Sequence, residues 1–115
     1  MATQLEIPTP FPDWFLEPRN DRERAFRAFH LQNPHVYKEI ERRARQWKQA
    51  GGGKIGIRAL WEAMRWDQRL KVARNGGEPW KLNDHFPPFY ARLLVHRHPE
   101  LREAIEIRAG RSRTV

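Results

Sequence analysis

The chain has 115 residues, no cysteine and a formal charge of +8, with a sequence pI near 10.8. That length supports one domain with a single core, and the missing thiols exclude disulfides and thiolate metal sites. No stretch approaches the roughly 18 apolar residues of a membrane span, and the N-terminus lacks a signal-peptide pattern, so a cytoplasmic protein is expected.

Charge is unevenly placed. All 22 Lys and Arg lie after Pro18, whereas Glu6, Asp13 and Glu17 make the preceding arm acidic. A basic body of this kind attracts polyanions, of which nucleic-acid phosphates are the commonest in a cytoplasm. Solvated Arg-rich helix faces would give the same composition, so charge alone does not decide.

Residues 1–18 form an arm whose Pro8, Pro10, Pro12 and Pro18 oppose a regular helix or central strand. Phe11, Trp14, Phe15 and Leu16 are nonetheless too apolar for a solvated tail. The arm is expected to lie extended and insert its aromatics into a groove of this chain or of a partner. An exchanged arm would produce a homodimer.

A single helical domain is expected over 19–108. Asn20 or Asp21 opens a first helix to about Leu31, with Ala25, Phe26 and Phe29 on one face. Asn33-Pro34 opens a second, in which Asn caps and Pro takes the first helical position. Val36, Tyr37, Ile40, Ala44 and Trp47 form its core stripe, and Gly51-Gly52-Gly53 ends it.

Lys54-Ile55-Gly56-Ile57 suggests a short strand, and Ile57, Leu60, Trp61 and Met64 the inner face of a third helix. Trp66 is either a core residue at that helix's far edge or an exposed contact, and the core reading is preferred. Leu70 and Val72, then Trp80 and Leu82, alternate with polar residues around Asn75-Gly76-Gly77, which predicts a β-hairpin over 69–83. Pro87-Pro88 starts another helix with Phe89, Tyr90, Leu93 and Leu94 buried. Beyond Pro99 the chain ends in a segment of helix or strand to Arg108, then a basic flexible tail, 109–115. The expected class is mainly α with a small β-hairpin, winged-helix-like, in the order α-α-β-α-β-β-α-α.

Catalytic signatures are weak. His96 and His98 are two residues apart and diverge on a helix, so with His85 they make a poor metal site. Asn83-Asp84-His85 with His96 loosely echoes a histidine nuclease but lacks the framing strand. Gly51-Gly52-Gly53-Lys54 lacks the spacing and the Ser or Thr of a phosphate loop. No enzyme, cofactor or metal is expected. The favoured function is non-catalytic binding of double-stranded DNA, with Arg58, Arg65 and Arg69 on the helix and Lys71, Arg74 and Lys81 on the wing. The rival is docking on a bacterial host protein through Phe11, Trp14 and Phe15.

Phe29-His30, Asn33-Pro34, Gly53, Leu60, Glu62, Arg65-Trp66, Leu82-Asn83 and Tyr90-Ala91-Arg92 form a spaced set. In these markers residues 26–108 resemble small, largely uncharacterised proteins of bacteriophages and prophages, especially of actinobacteria. The resemblance implies a phage origin, action in the host bacterial cytoplasm and a compact, mainly helical fold. It carries over no catalytic residue.

Overall fold

The computed structural model describes residues 10–107, so the arm before Pro10 and the tail from Arg108 onward, both assigned above, lie outside it. Five α-helices, a 3₁₀ turn and two short strands follow in the order α1 (Asp13–Leu16), α2 (Asp21–Gln32), α3 (Pro34–Gln49), β1 (Ile55–Gly56), α4 (Ile57–Asn75), α5 (Pro87–Arg97), the 3₁₀ turn (Pro99–Glu103) and β2 (Ile105–Glu106). The fold is mainly helical with one two-stranded parallel sheet, Ile55 opposite Ile105 and Gly56 opposite Glu106.

Helix boundaries follow from local chemistry. Asn20 accepts the Glu23 N–H at 2.9 Å, and the Glu23 carboxylate reaches back to the Arg19 N–H at 2.8 Å. This reciprocal arrangement satisfies exposed amides at the start of α2. Asn33 departs from its expected role: its side chain makes no cap on α3 and instead donates to the Phe29 carbonyl at 3.0 Å, closing α2. Pro34 takes the first position of α3, where no amide is missed.

The end of α3 is a Schellman motif. Gly52 N–H donates to Trp47 O and Gly51 N–H to Lys48 O, each at 3.0 Å, with Gly51 at φ 82°. Trp47 folds over this turn, its indole N–H on the Gly53 carbonyl at 2.5 Å, so it edges the core stripe at 36 % exposure rather than filling it.

The predicted hairpin over 69–83 is replaced by helix. α4 runs unbroken through Leu70 and Val72 to Asn75, and Gly76 N–H then donates to Val72 O at 2.8 Å with φ 79° at Gly76. Leu, Lys, Ala and Arg are strong helix formers, and lengthening an existing helix needs no new nucleus. Alternation over four residues could not outweigh that. Asn75-Gly76-Gly77 is a helix stop, not a hairpin turn, and the wing is lost with it. Residues 76–86 return as a non-repetitive connection to α5, and the only strand pairing among the described residues joins β1 to β2.

The core centres on α5, where Tyr90, Leu93 and Leu94 are fully buried against Trp61 and Met64 of α4, Ile40 of α3 and Phe26 of α2. Phe26 meets Tyr90 edge-on at 4.8 Å and stacks on Phe89 at 5.2 Å. The proline arm holds one helical turn after all, α1, because Pro12 supplies a permitted start and Pro18 falls beyond its end. Its aromatics complete this chain's own core. Phe15 is 2 % exposed, Phe11 stacks on it at 4.3 Å, and Trp14 lies against Phe26 and Phe89. Arg97 clamps the arm by donating to Pro10 O at 2.8 Å and lying over the Phe11 ring at 4.8 Å.

Candidate nucleic-acid interface

Six basic residues are expected to meet phosphate, and the fold distributes them unequally. Arg58 donates to the Asp84 backbone carbonyl at 3.1 Å. Arg65 is ion-paired to the Asp84 carboxylate and lies 3.7 Å from Glu62. Trp61 Nε1–H also donates to Asp84 at 3.2 Å. These donors, Trp61 foremost and then Arg65, hold the Asp84 carboxyl below its usual pKa. Arg58 and Arg65 therefore tie α4 to the connection before α5, and only part of their hydrogen-bonding capacity is spare.

Arg69, Lys71, Arg74 and Lys81 are exposed, and no ion pair of theirs occurs among the described residues. They do not form the single wing stripe expected. At 100° per residue, Arg58, Arg65 and Arg69 share one edge of α4, whereas Lys71 and Arg74 project from the other. Losing the hairpin separates Lys71 and Arg74 from Lys81, which lies on the connection.

What the fold does bring together is a groove of about 410 Å³ between the second half of α4 and residues 79–82. Arg65, Gln68, Arg69 and Val72 form one wall, and Trp80 and Lys81 stand on the other. Three cations line it and no acidic residue does; Arg65 is already paired to Asp84, so Arg69 and Lys81 give the lining its net positive charge. Gln68 fixes the second wall, its amide oxygen accepting the Trp80 backbone N–H at 3.1 Å. The Trp80 indole is half-buried and braced edge-on by His35 at 4.9 Å.

Of the groove's polar and aromatic members, Gln68 and Trp80 are not among the site residues expected from the sequence. Trp80 was assigned to a strand facing the helices; its helical partner Gln68 carried no signal because the helix was expected to end near Arg69. Trp66 was expected in the core but is 62 % exposed. Of the aromatics named for docking, Phe15 is buried in the core, and Phe11 and Trp14 are partly buried against it.

The histidines are dispersed. His98 Nε2 lies 2.5 Å from Glu41, and His85 is exposed with its backbone N–H on Asn83 at 2.8 Å. Among the described residues no group of three or more His, Asp or Glu is arranged to hold a metal, and no helix is long and apolar enough to cross a membrane. Comparison with protein families, curated proteins and solved structures finds no match for this chain.

Proposed function

We propose that this protein binds DNA without catalysis, through the groove between α4 and residues 79–82, and that its ligand there is a single strand. The observation that carries this reading is the union of three cationic side chains and a braced indole in one acid-free groove. Cations follow the phosphate backbone, and an aromatic face accepts any base by stacking, each stacked base contributing about 1–3 kcal/mol. A duplex is disfavoured because the hairpin that would have flanked it is helix. Arg58 and Arg65 serve as positioning groups through Asp84, while Arg69 and Lys81 meet phosphate. With the phage-type resemblance of residues 26–108, an accessory role in DNA processing or regulation follows.

The test is fluorescence anisotropy with a labelled single-stranded oligonucleotide and its duplex, at one salt concentration. The reading expects the single strand to bind more tightly, and Lys81→Ala with Trp80→Ala to weaken that binding by about tenfold or more. Equal or tighter duplex binding, unaffected by the pair of substitutions, sinks it. Binding of neither nucleic acid would turn attention to a protein partner.

A further inference from the structure

One edge of α4 is in the core, and the opposite edge is an apolar seam that nothing among the described residues covers. Ala59, Ala63, Trp66 and Ala73 are exposed and Leu70 is half-buried. Their spacing of four, three, four and three residues places them on one helical line, the pattern by which helices pair. Trp66, at 62 %, is the most exposed large apolar side chain among the described residues. An indole so placed is the residue type that dominates protein contacts.

The charges beside the seam say what fits it. Glu62 stands four residues before Trp66 and Arg69 three after it, on the same edge. Arg69 has no ion pair among the described residues, and Glu62 has only the 3.7 Å approach of Arg65. The apolar positions are also nearly symmetric about Trp66, with Ala59 and Ala73 each seven residues away. Such a line is self-complementary when a second copy runs antiparallel. Trp66 then meets Trp66, Ala59 faces Ala73, Ala63 faces Leu70, and each Glu62 faces Arg69 of the other copy. Parallel pairing, with its two-fold along the helices, would put the two Glu62–Arg69 edges on opposite sides of the seam, where this pair cannot form. An isologous two-fold contact of this kind is the commonest symmetry of oligomers.

We infer that α4 is a homodimer seam, on which a second copy of this chain packs its own α4 antiparallel about Trp66. Symmetry adds a consequence that rests on the nucleic-acid reading, although the dimer does not. A two-fold perpendicular to the helix pair keeps like edges on the same side. The groove lies beside the Glu62–Arg69 edge, so both grooves open on one face and offer a strand two linked sites.

The test is sedimentation equilibrium of the full chain without nucleic acid, from about 1 μM to 1 mM, a span that covers weak to moderate affinities. The mass is expected to rise from 13.8 kDa towards twice that value. Trp66→Ser should hold it at the monomer without moving the thermal melt of the dilute, monomeric chain, since the indole lies outside the core. Glu62→Arg and Arg69→Glu should each weaken association by about tenfold, and the two together should restore most of it. A monomer mass throughout, or undiminished association of Trp66→Ser, overturns the seam. Failure of the double charge exchange to recover association overturns the antiparallel arrangement.

Lys81→Ala separates this proposal from the functional one, because Lys81 lies in the groove and off the seam. A dimer that binds no oligonucleotide supports the seam and defeats only the nucleic-acid reading. A monomer that binds oligonucleotide does the reverse.

Discussion

The two ends of the molecule solve opposite problems. Around α1, α2 and α5, aromatic rings are spent on one another: Phe11, Trp14, Phe15, Phe26, Phe89 and Tyr90 form a continuous cluster with ring contacts of 4.3–6.2 Å. Along the second half of α4 and residues 76–82, Trp66, Trp80, Arg69, Lys71, Arg74 and Lys81 leave much of their surface to solvent. Both regions are aromatic and arginine-bearing. In the first, Arg97 and Arg19 are enlisted to clamp the arm and cap α2. Before the second, in the first half of α4, Arg65 and Arg58 are so used. Interaction capacity is thus found where folding has not already consumed it.

Stability should divide along the same line. Phe26→Ala, deleting a fully buried ring at the centre of the cluster, is expected to cost about 3–5 kcal/mol in chemical denaturation. An effect under about 1 kcal/mol would mean that the arm and α5 do not share one core. Gly52→Ala should come next. A β-carbon there falls on the Trp47 indole, so the Schellman turn and the ring cannot both keep their places. A loss of about 1–3 kcal/mol is expected, largely relieved when Trp47→Ala is added. At the other end Lys81→Ala should change stability by no more than about 0.5 kcal/mol, the usual range for a surface site, while weakening nucleic-acid binding.

The aromatic cluster also predicts a pH signature. Burial, helped by the charge of Arg97, pushes His30 below its ordinary 6.5. A depressed folded pKa gives stability that is present above 6.5 and lost as pH falls from there through the folded value. Hydrogen bonding from Arg19 lowers Glu23 from 4.5, so its contribution is lost further down, as pH falls from 4.5 through its own folded value. Denaturation midpoints measured against pH should fall in these two ranges, and His30→Phe should remove the upper fall alone. A midpoint unchanged by His30→Phe just below pH 6.5 would contradict the assignment.

Much of this architecture was legible in residues whose chemistry is local. Asn20 or Asp21, Pro34, the triple glycine and Pro87 mark helix ends whatever the tertiary fold. The core of α3 through Val36, Tyr37, Ile40 and Ala44 followed from spacing. The strand at Ile55 and the alternation near Ile105 were visible, but their parallel pairing joins residues 50 positions apart and has no local signal. The hairpin misreading has a physical origin. Asn75-Gly76-Gly77 supplies positive φ, which a hairpin turn and a helix C-terminus need equally. Leu70 to Ala73 fits either period over so short a run. Once α4 is extended, Lys71 and Lys81 part company and Arg69 meets Lys81 across a groove, while helical periodicity already sets Trp66 opposite Leu60, Trp61 and Met64. The cations of the candidate site were therefore legible as residues, whereas Gln68, Trp80 and the arrangement were not.

The salt dependence of single-strand binding tests the central claim most directly. For the full chain the logarithm of affinity should fall linearly with the logarithm of salt, by about 0.7 per phosphate neutralised, and Lys81→Ala should reduce that slope by about one phosphate. An affinity independent of salt, or a slope that Lys81→Ala leaves untouched, would contradict the assignment of the groove.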